Sequence, residues 1–163
     1  MPEFTAVSVT DAGSITLLTQ YFSDRASTFP AAGGYRTTFP APEQFIPPRG
    51  QFLLVSEAQG SRTFVGCGGI RRIDDGADGA VRFEAKHLWL QPEVRGRGWG
   101  SLLLAELEAR ARSFGATEMV LDTNSSLEAA GALYQRSGYE DVPPYNDNPN
   151  ATNWYRKVLV PAP

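Results

Sequence analysis

Apolar residues recur along this chain first at helical spacing, then at strand spacing, then at helical spacing again. Ile15, Leu18 and Phe22, with the neighbouring Tyr21, predict an amphipathic helix from Asp11 to Ser27. Residues 29–50 hold five prolines and three glycines, which predicts a loop with room for one short helix. A loop of that length inside a domain is uncommon, and reads equally as a lid or binding segment and as a mobile connection. Three strand-like runs follow, Gln51 to Glu57, Arg62 to Ile73 and Ala80 to Leu90, separated by the turn-rich AQGS and DDGADG. From Gly98 to Phe114 the period changes, and Gly100, Leu103, Leu104, Leu107, Ala111 and Phe114 form one helical stripe that Gly115 ends. Glu106 with Arg110 and Glu108 with Arg112 stand four apart on its expected solvent side. A strand from Thr117 to Thr123 comes next. Ser125 and Glu128 form a capping-box pattern ahead of a helix from Leu127 to Ser137, and Trp154 to Val160 reads as a closing strand. Antiparallel strands followed by alternating strands and helices predict an α/β fold with a mixed, largely antiparallel sheet flanked by helices.

Composition narrows the class. At 163 residues, 42% hydrophobic and 20% charged, residues 1–163 read as a single domain able to fill its own core. No run approaches the ~18 apolar residues of a membrane span, and the N-terminus lacks a signal peptide's basic flank and apolar core, so a cytoplasmic location without membrane contact is expected. One cysteine, Cys67, and one histidine, His87, leave no internal disulfide and no His- or Cys-rich zinc site, so no metal is expected. A formal charge of -3 offers nucleic acid no global attraction. An anion must be bound by a local device.

Arg95-Gly96-Arg97-Gly98-Trp99-Gly100 is such a device, lying between a predicted strand and the strongest predicted helix. Glycines let the backbone approach a ligand, the helix start offers unpaired N–H groups, and two arginines add charge, a combination suited to pyrophosphate. The plainer alternative is a glycine-rich turn with solvated arginines. The order G-x-G-x-G without a preceding βαβ unit is not a dinucleotide fingerprint, and no Gly-Lys-Ser/Thr follows to make a Walker loop.

With the strand before it, Leu88-Trp89-Leu90-Gln91-Pro92-Glu93-Val94-Arg95-Gly96-Arg97-Gly98-Trp99-Gly100 resembles the Q/R-x-x-G-x-G/A signature of the GNAT superfamily of acetyl-CoA-dependent N-acetyltransferases. Leu133-Tyr134-Gln135-Arg136-Ser137-Gly138-Tyr139 is similar to that superfamily's LY-x-x-x-G-F/Y segment, and the stretch from Val142 to Lys157 looks like a small-molecule branch. The resemblance implies acetyl-CoA as acetyl donor, with the backbone of Leu88, Trp89 and Leu90 along the pantetheine arm and Arg95, Gly96, Arg97, Gly98, Trp99, Gly100 and Ser101 around the pyrophosphate. Many members carry Asn seven residues before the tyrosine; Leu127 stands there in this chain, and Asn124 is the expected substitute. The resemblance further implies that Tyr134 protonates the departing thiolate and that Glu84 removes the amine's proton. A lysine-like amine costs ~4 to 5 kcal/mol to deprotonate at pH 7, so a base is useful. Simple alternation puts Glu84, Lys86, Leu88 and Leu90 on one strand face and His87 on the other, unless a bulge intervenes. Glu84 also reads as a partner of Lys86 or Arg82, and Tyr134 as a core aromatic. Cys67 reads as core.

Tyr35, Arg36 and Phe39 in the proline-rich loop, with Tyr145, Asn146 and Asp147 after the last helix, are the substrate-side candidates. They offer an aromatic wall, a cation for a carboxylate and an anion for an amine, or else simply a polar surface. Direct acetyl transfer to a small-molecule amine by a monomer or homodimer is expected. A protein or peptide acceptor, and a CoA-binding regulatory domain without turnover, stay open.

Overall fold

The strands of the computed structural model, which describes residues 1–31 and 33–159, are β1 (Glu3–Val7), β2 (Gly50–Ser56), β3 (Phe64–Arg72), β4 (Arg82–Leu90), β5 (Glu118–Thr123), β6 (Glu140–Val142) and β7 (Asn153–Val158). The helices are α1 (Ala12–Thr28), α2 (Trp99–Ser113) and α3 (Glu128–Arg136), with 3-10 turns at Pro42–Phe45 and Pro92–Val94. One seven-stranded sheet runs in the order β1-β2-β3-β4-β5-β7-β6, and every pairing is antiparallel except β4 with β5. The mixed sheet flanked by helices is the architecture that the pattern predicts. The sequence pattern did not announce β1 and β6. Both are largely exposed strands, and such strands carry no apolar run to read. The predicted end of the last strand, Val160, lies outside the described residues.

Each sheet face has its own core. Leu103, Leu104 and Leu107 of α2 pack with Leu53, Ile70 and Phe83 on one face, and Leu18 and Phe22 of α1 pack with Phe52, Leu54, Cys67 and Trp89 on the other. The α1 stripe is rotated from the predicted one. Ile15 is 47% exposed, while Ser14 and Leu17 are buried. Ser14 tolerates burial because its hydroxyl donates to the Ser8 carbonyl at 2.7 Å, so a polar residue occupies a core position that spacing alone gives to isoleucine. Asp11 caps α1 by accepting from the Gly13 N–H at 2.9 Å.

Two local expectations need correcting. Arg110 does pair with Glu106 at 2.7 Å, but Glu108 is buried, accepting from the Tyr139 hydroxyl at 2.9 Å and from Lys157 Nζ at 2.9 Å. Its partners come from outside the helix, so the four-residue rule could not find them. The helix α3 starts without a side-chain cap; Thr152 Oγ1 accepts the Ser125 N–H at 2.7 Å and Asn124 Oδ1 accepts that of Ser126 at 3.0 Å. No helix among the described residues is long and apolar enough to cross a membrane.

Candidate active site

The site begins with an irregularity in β4. Gly69 opposes Lys86 and Cys67 opposes Trp89, so β4 spends one residue more than β3 between the two pairs. That extra residue is a bulge, and His87 in it takes φ 56°, a left-handed conformation costing a residue with a Cβ ~1–3 kcal/mol. The bulge inverts the alternation. Before it Phe83 and Ala85 face the α2 core; after it Leu88 and Leu90 do, and Trp89 joins the α1 core. The single face expected for Glu84, Lys86, Leu88 and Leu90 is therefore split, and His87 comes round to the side of Glu84. It packs edge-on at 5.5 Å from the rings of Tyr21 and Phe22, with Nδ1 enclosed and unpaired. Burial, reinforced by Lys86 and Arg71, pushes its pKa down to about 3. It is a neutral packing imidazole.

Downstream of the ladder Arg82–Glu84 with Glu118–Val120, the parallel strands β4 and β5 part. Two strand edges then face each other without pairing, a gap suited to a narrow, extended ligand with amide groups of its own. At the end of β4 the chain turns through Pro92–Val94 into α2. Gly96 and Gly98 have φ 77° and 78°, which glycine adopts freely, and a Cβ on either would meet nothing within 4 Å. The N–H groups of Trp99, Gly100 and Ser101 have no acceptor among the described residues. Open space, unpaired donors and the helix dipole fit a pyrophosphate there. Arg95 and Arg97 brace the turn. Arg95 Nε donates to the Leu90 carbonyl at 2.9 Å, and Arg97 reaches Glu57 at 3.2 Å and stacks 5.3 Å from the Trp99 ring centre. Both remain about half exposed.

Behind the gap lies a cavity of about 560 Å³, walled by α1, the proline-rich loop, the bulged part of β4, the end of β5, the start of α3 and the loop before β7. Tyr35, Arg36, Phe39, Leu88, Asn124, Tyr134 and Asn146 line it, so residues from both predicted regions meet there. The two loops are joined directly: Arg36 N–H donates to Asn150 Oδ1 at 2.9 Å, and Asn150 Nδ2 donates to the Arg36 carbonyl at 2.8 Å. Asn124 supports this clasp by donating to the Asn150 carbonyl at 3.1 Å. Asp147 is exposed and not part of the wall, and Tyr145 turns to Glu84, its hydroxyl donating to Oε2 at 2.6 Å.

Glu84 is fully buried and surrounded by donors. Arg71 Nε and Nη2 hold Oε1 at 2.9 and 2.8 Å, while Oε2 accepts from Tyr145 and from Asn146 at 3.4 Å. It stands behind the cavity wall. The carboxylate that does line the cavity is Asp122 on β5, whose Oδ2 accepts from Asn146 at 2.7 Å and whose Oδ1 lies 3.5 Å from Lys86 Nζ. The sequence pattern does not mark Lys86 or Asp122, which stand beside a bulge and on a diverging strand pair, nor does it mark Phe22 and Arg25 of α1 as cavity residues. Tyr134 lines the same cavity, and its hydroxyl has no hydrogen-bond partner in the protein among the described residues. Burial, then the neighbouring Tyr21, raises its pKa above the ordinary tyrosine value, which keeps it protonated. Cys67 is fully buried, donates to the His87 carbonyl at 3.3 Å, and has a thiol pKa pushed up to about 12 by desolvation. It is core. No group of three or more His, Cys, Asp or Glu side chains able to hold a metal ion occurs among the described residues.

Known proteins resemble this chain in sequence and in fold. The chain is 35% identical over 106 residues to an uncharacterised N-acetyltransferase of Schizosaccharomyces pombe, and 35% identical over 88 residues to an IAA acetyltransferase of Azospirillum brasilense. Those matches take in 65% and 54% of this chain, and 61% and 55% of the two relatives, so the likeness spans little more than half their length. A crystal structure of a provisionally assigned acyl-CoA N-acyltransferase from Klebsiella pneumoniae superposes with a TM-score of 0.73 at 29% identity, covering 98% of this chain and 99% of that one. A phosphinothricin acetyltransferase from Sinorhizobium meliloti in complex with AcCoA, 17% identical, shares the fold with a TM-score of 0.65 over 97% of this chain and 88% of its own. With the acetyltransferase (GNAT) family model matching residues 18–139, the chain belongs to that family.

Proposed function

We propose that this chain transfers acetyl from acetyl-CoA directly to the amine of a small molecule. The observation that carries the reading is the shared opening: β4 and β5 part between the glycine-lined start of α2 and a cavity holding an unpaired Tyr134 hydroxyl and the Asp122 carboxylate. Acetyl-CoA supplies the activated acetyl thioester. The start of α2 would hold its pyrophosphate, and the free edge Leu88–Leu90 its pantetheine amides. The Arg36–Asn150 clasp joins two loops at the cavity, which suits a small acceptor better than a threaded polypeptide.

In the transfer, a neutral amine forms a C–N bond to the acetyl carbonyl carbon as the C–S bond breaks. Tyr134 donates its proton to the departing thiolate, and the proton leaving the amine goes to Asp122, directly or through water. Glu84, with both oxygens held by donors, positions Arg71, Tyr145 and Asn146, and through Asn146 the base. Donors reach both oxygens of Asp122 as well, but Asp122 lines the cavity and Glu84 does not. In this proposal Asp122, and not Glu84, is the base.

CoA release measured across an amine panel tests the activity. Asp122→Asn should lower kcat ~10²- to 10⁴-fold, most steeply at low pH, with the acetyl-CoA KM unchanged. Glu84→Gln should raise the acceptor KM with a smaller effect on kcat. The reverse split between the two variants would return the role of base to Glu84.

A further inference from the structure

One side of the cavity wall is aromatic. Tyr21 and Phe22 of α1, Phe29, Tyr35 and Phe39 of the proline-rich loop, and Tyr134 all line it. The first five are nearly continuous: Phe22 lies 5.0 Å from Phe39 and 6.3 Å from Tyr35 between ring centres, and Tyr35 lies 5.5 Å from Phe29. Phe39 is 51% exposed, a large apolar ring left at the rim with one side uncovered. A wall of this kind favours a flat apolar partner, which can stack or pack edge-on.

The charges in the wall are unequal. Four cations line the cavity, Arg25, Arg36, Arg71 and Lys86, against Asp122 as the one carboxylate among the described lining residues. Arg71 is bound by Glu84 and Lys86 faces both Glu84 and Asp122, so those two are compensated. Arg25 is not. Its side chain is only 18% exposed, yet it donates no hydrogen bond to the protein among the described residues. Its one ion pair is a 3.8 Å contact with the adjacent Asp24, whose same oxygen also accepts from Trp89 Nε1 at 3.0 Å and lies 3.5 Å from Arg95. The guanidinium lies 5.2 Å from the centre of the Tyr21 ring. A largely desolvated guanidinium has five donors to satisfy, and a carboxylate fits that fork bidentately. The side chain of Arg36 is likewise unpaired among the described residues and sits further out.

The geometry points to an aromatic amino acid, or an arylalkyl amine likewise carrying a carboxylate, as the acceptor: its ring against Phe22, Tyr35 and Phe39, its carboxylate on Arg25, its amine toward Asp122. The volume, about 560 Å³, is ordinary for a small-molecule site and leaves room beside such a compound. This assignment rests on the acetyltransferase reading above, and it gives Arg25 the work of a specificity-determining residue.

Three acceptor sets decide it: phenylalanine, tyrosine and tryptophan; the same rings without the carboxylate, as phenethylamine, tyramine and tryptamine; and alanine and leucine, which lack the ring. CoA release by the full chain should show kcat/KM at least tenfold higher for the first set than for either other. Arg25→Gln should raise the acceptor KM at least tenfold for the amino acids, change the decarboxylated amines less than threefold, and leave the acetyl-CoA KM alone. Phe39→Ala, at an exposed rim position where folding is not at stake, should lower kcat/KM for the aromatic amino acids and not for alanine. Equal turnover of the first two sets, or an Arg25→Gln effect on the acetyl-CoA KM instead, would overturn the assignment. If no amine releases CoA, the transferase reading fails on its own. Calorimetry then judges the ligand: phenylalanine binding that is lost in Arg25→Gln upholds its class, and no binding overturns it.

Discussion

The turn into α2 and the cavity behind β4 are two halves of one site, built in opposite ways. The turn is local: eleven consecutive residues from Gln91 to Ser101 contain its glycines, its arginines and its free N–H groups. A pyrophosphate there would be held by backbone, so the sequence needs only to keep side chains out of the way. The cavity is assembled from segments far apart in the chain, and its ligand would be held by side chains. What differs is where specificity can vary: a backbone cradle accepts one kind of group, whereas side chains on loops can be exchanged without disturbing the sheet.

The sharpest way to break this division is at Tyr134, which lines the cavity beside the gap. Tyr134→Phe should lower kcat ~10²- to 10⁴-fold with the Kd for acetyl-CoA within about twofold of the parent. A large loss of acetyl-CoA affinity would show that the ring belongs to the donor half instead. The second effect belongs to the turn. Gly98→Val forces a β-branched residue into φ 78° and places methyl groups where a phosphate would sit, so the Kd for acetyl-CoA should rise at least ~10-fold in a protein with unchanged circular dichroism. Binding as tight as the parent's would place the cradle elsewhere.

A third measurement concerns the stability of the cavity wall. The His87 imidazole, at about 3 in the folded chain against an ordinary ~6.5, binds its proton more readily when unfolded. Its contribution is therefore complete above pH ~6.5 and is lost as pH falls toward 3, by up to ~1.4 kcal/mol per pH unit. Urea unfolding between about pH 4 and 6 should show a shallower pH dependence for His87→Gln than for the parent. Equal slopes would mean that the imidazole is not held neutral. The smallest effect is expected at the clasp. Asn150→Ala removes both bonds to Arg36, and should raise the acceptor KM about threefold to tenfold while leaving acetyl-CoA binding unchanged.

By itself the sequence determined whatever depends on neighbours along the chain: the α2 stripe, the three-strand meander, the glycine turn and the motif around Tyr134. Periodicity and turn chemistry are short-range, so they survive being read in one dimension. The placements of Glu84, His87 and Asp122 come from the fold instead. One added residue in β4 reverses which side chains face which core, and nothing in Arg82–Leu90 distinguishes a bulged strand from a straight one. Glu84 lost the cavity to Asp122 because Arg71, on the neighbouring strand, binds it at 2.9 Å. Arg25 drew no attention in a helix without chemical signature, since a guanidinium becomes a binding group only when the fold buries it and withholds a partner. Such facts concern the distance between residues remote in sequence, and that distance is set by packing alone.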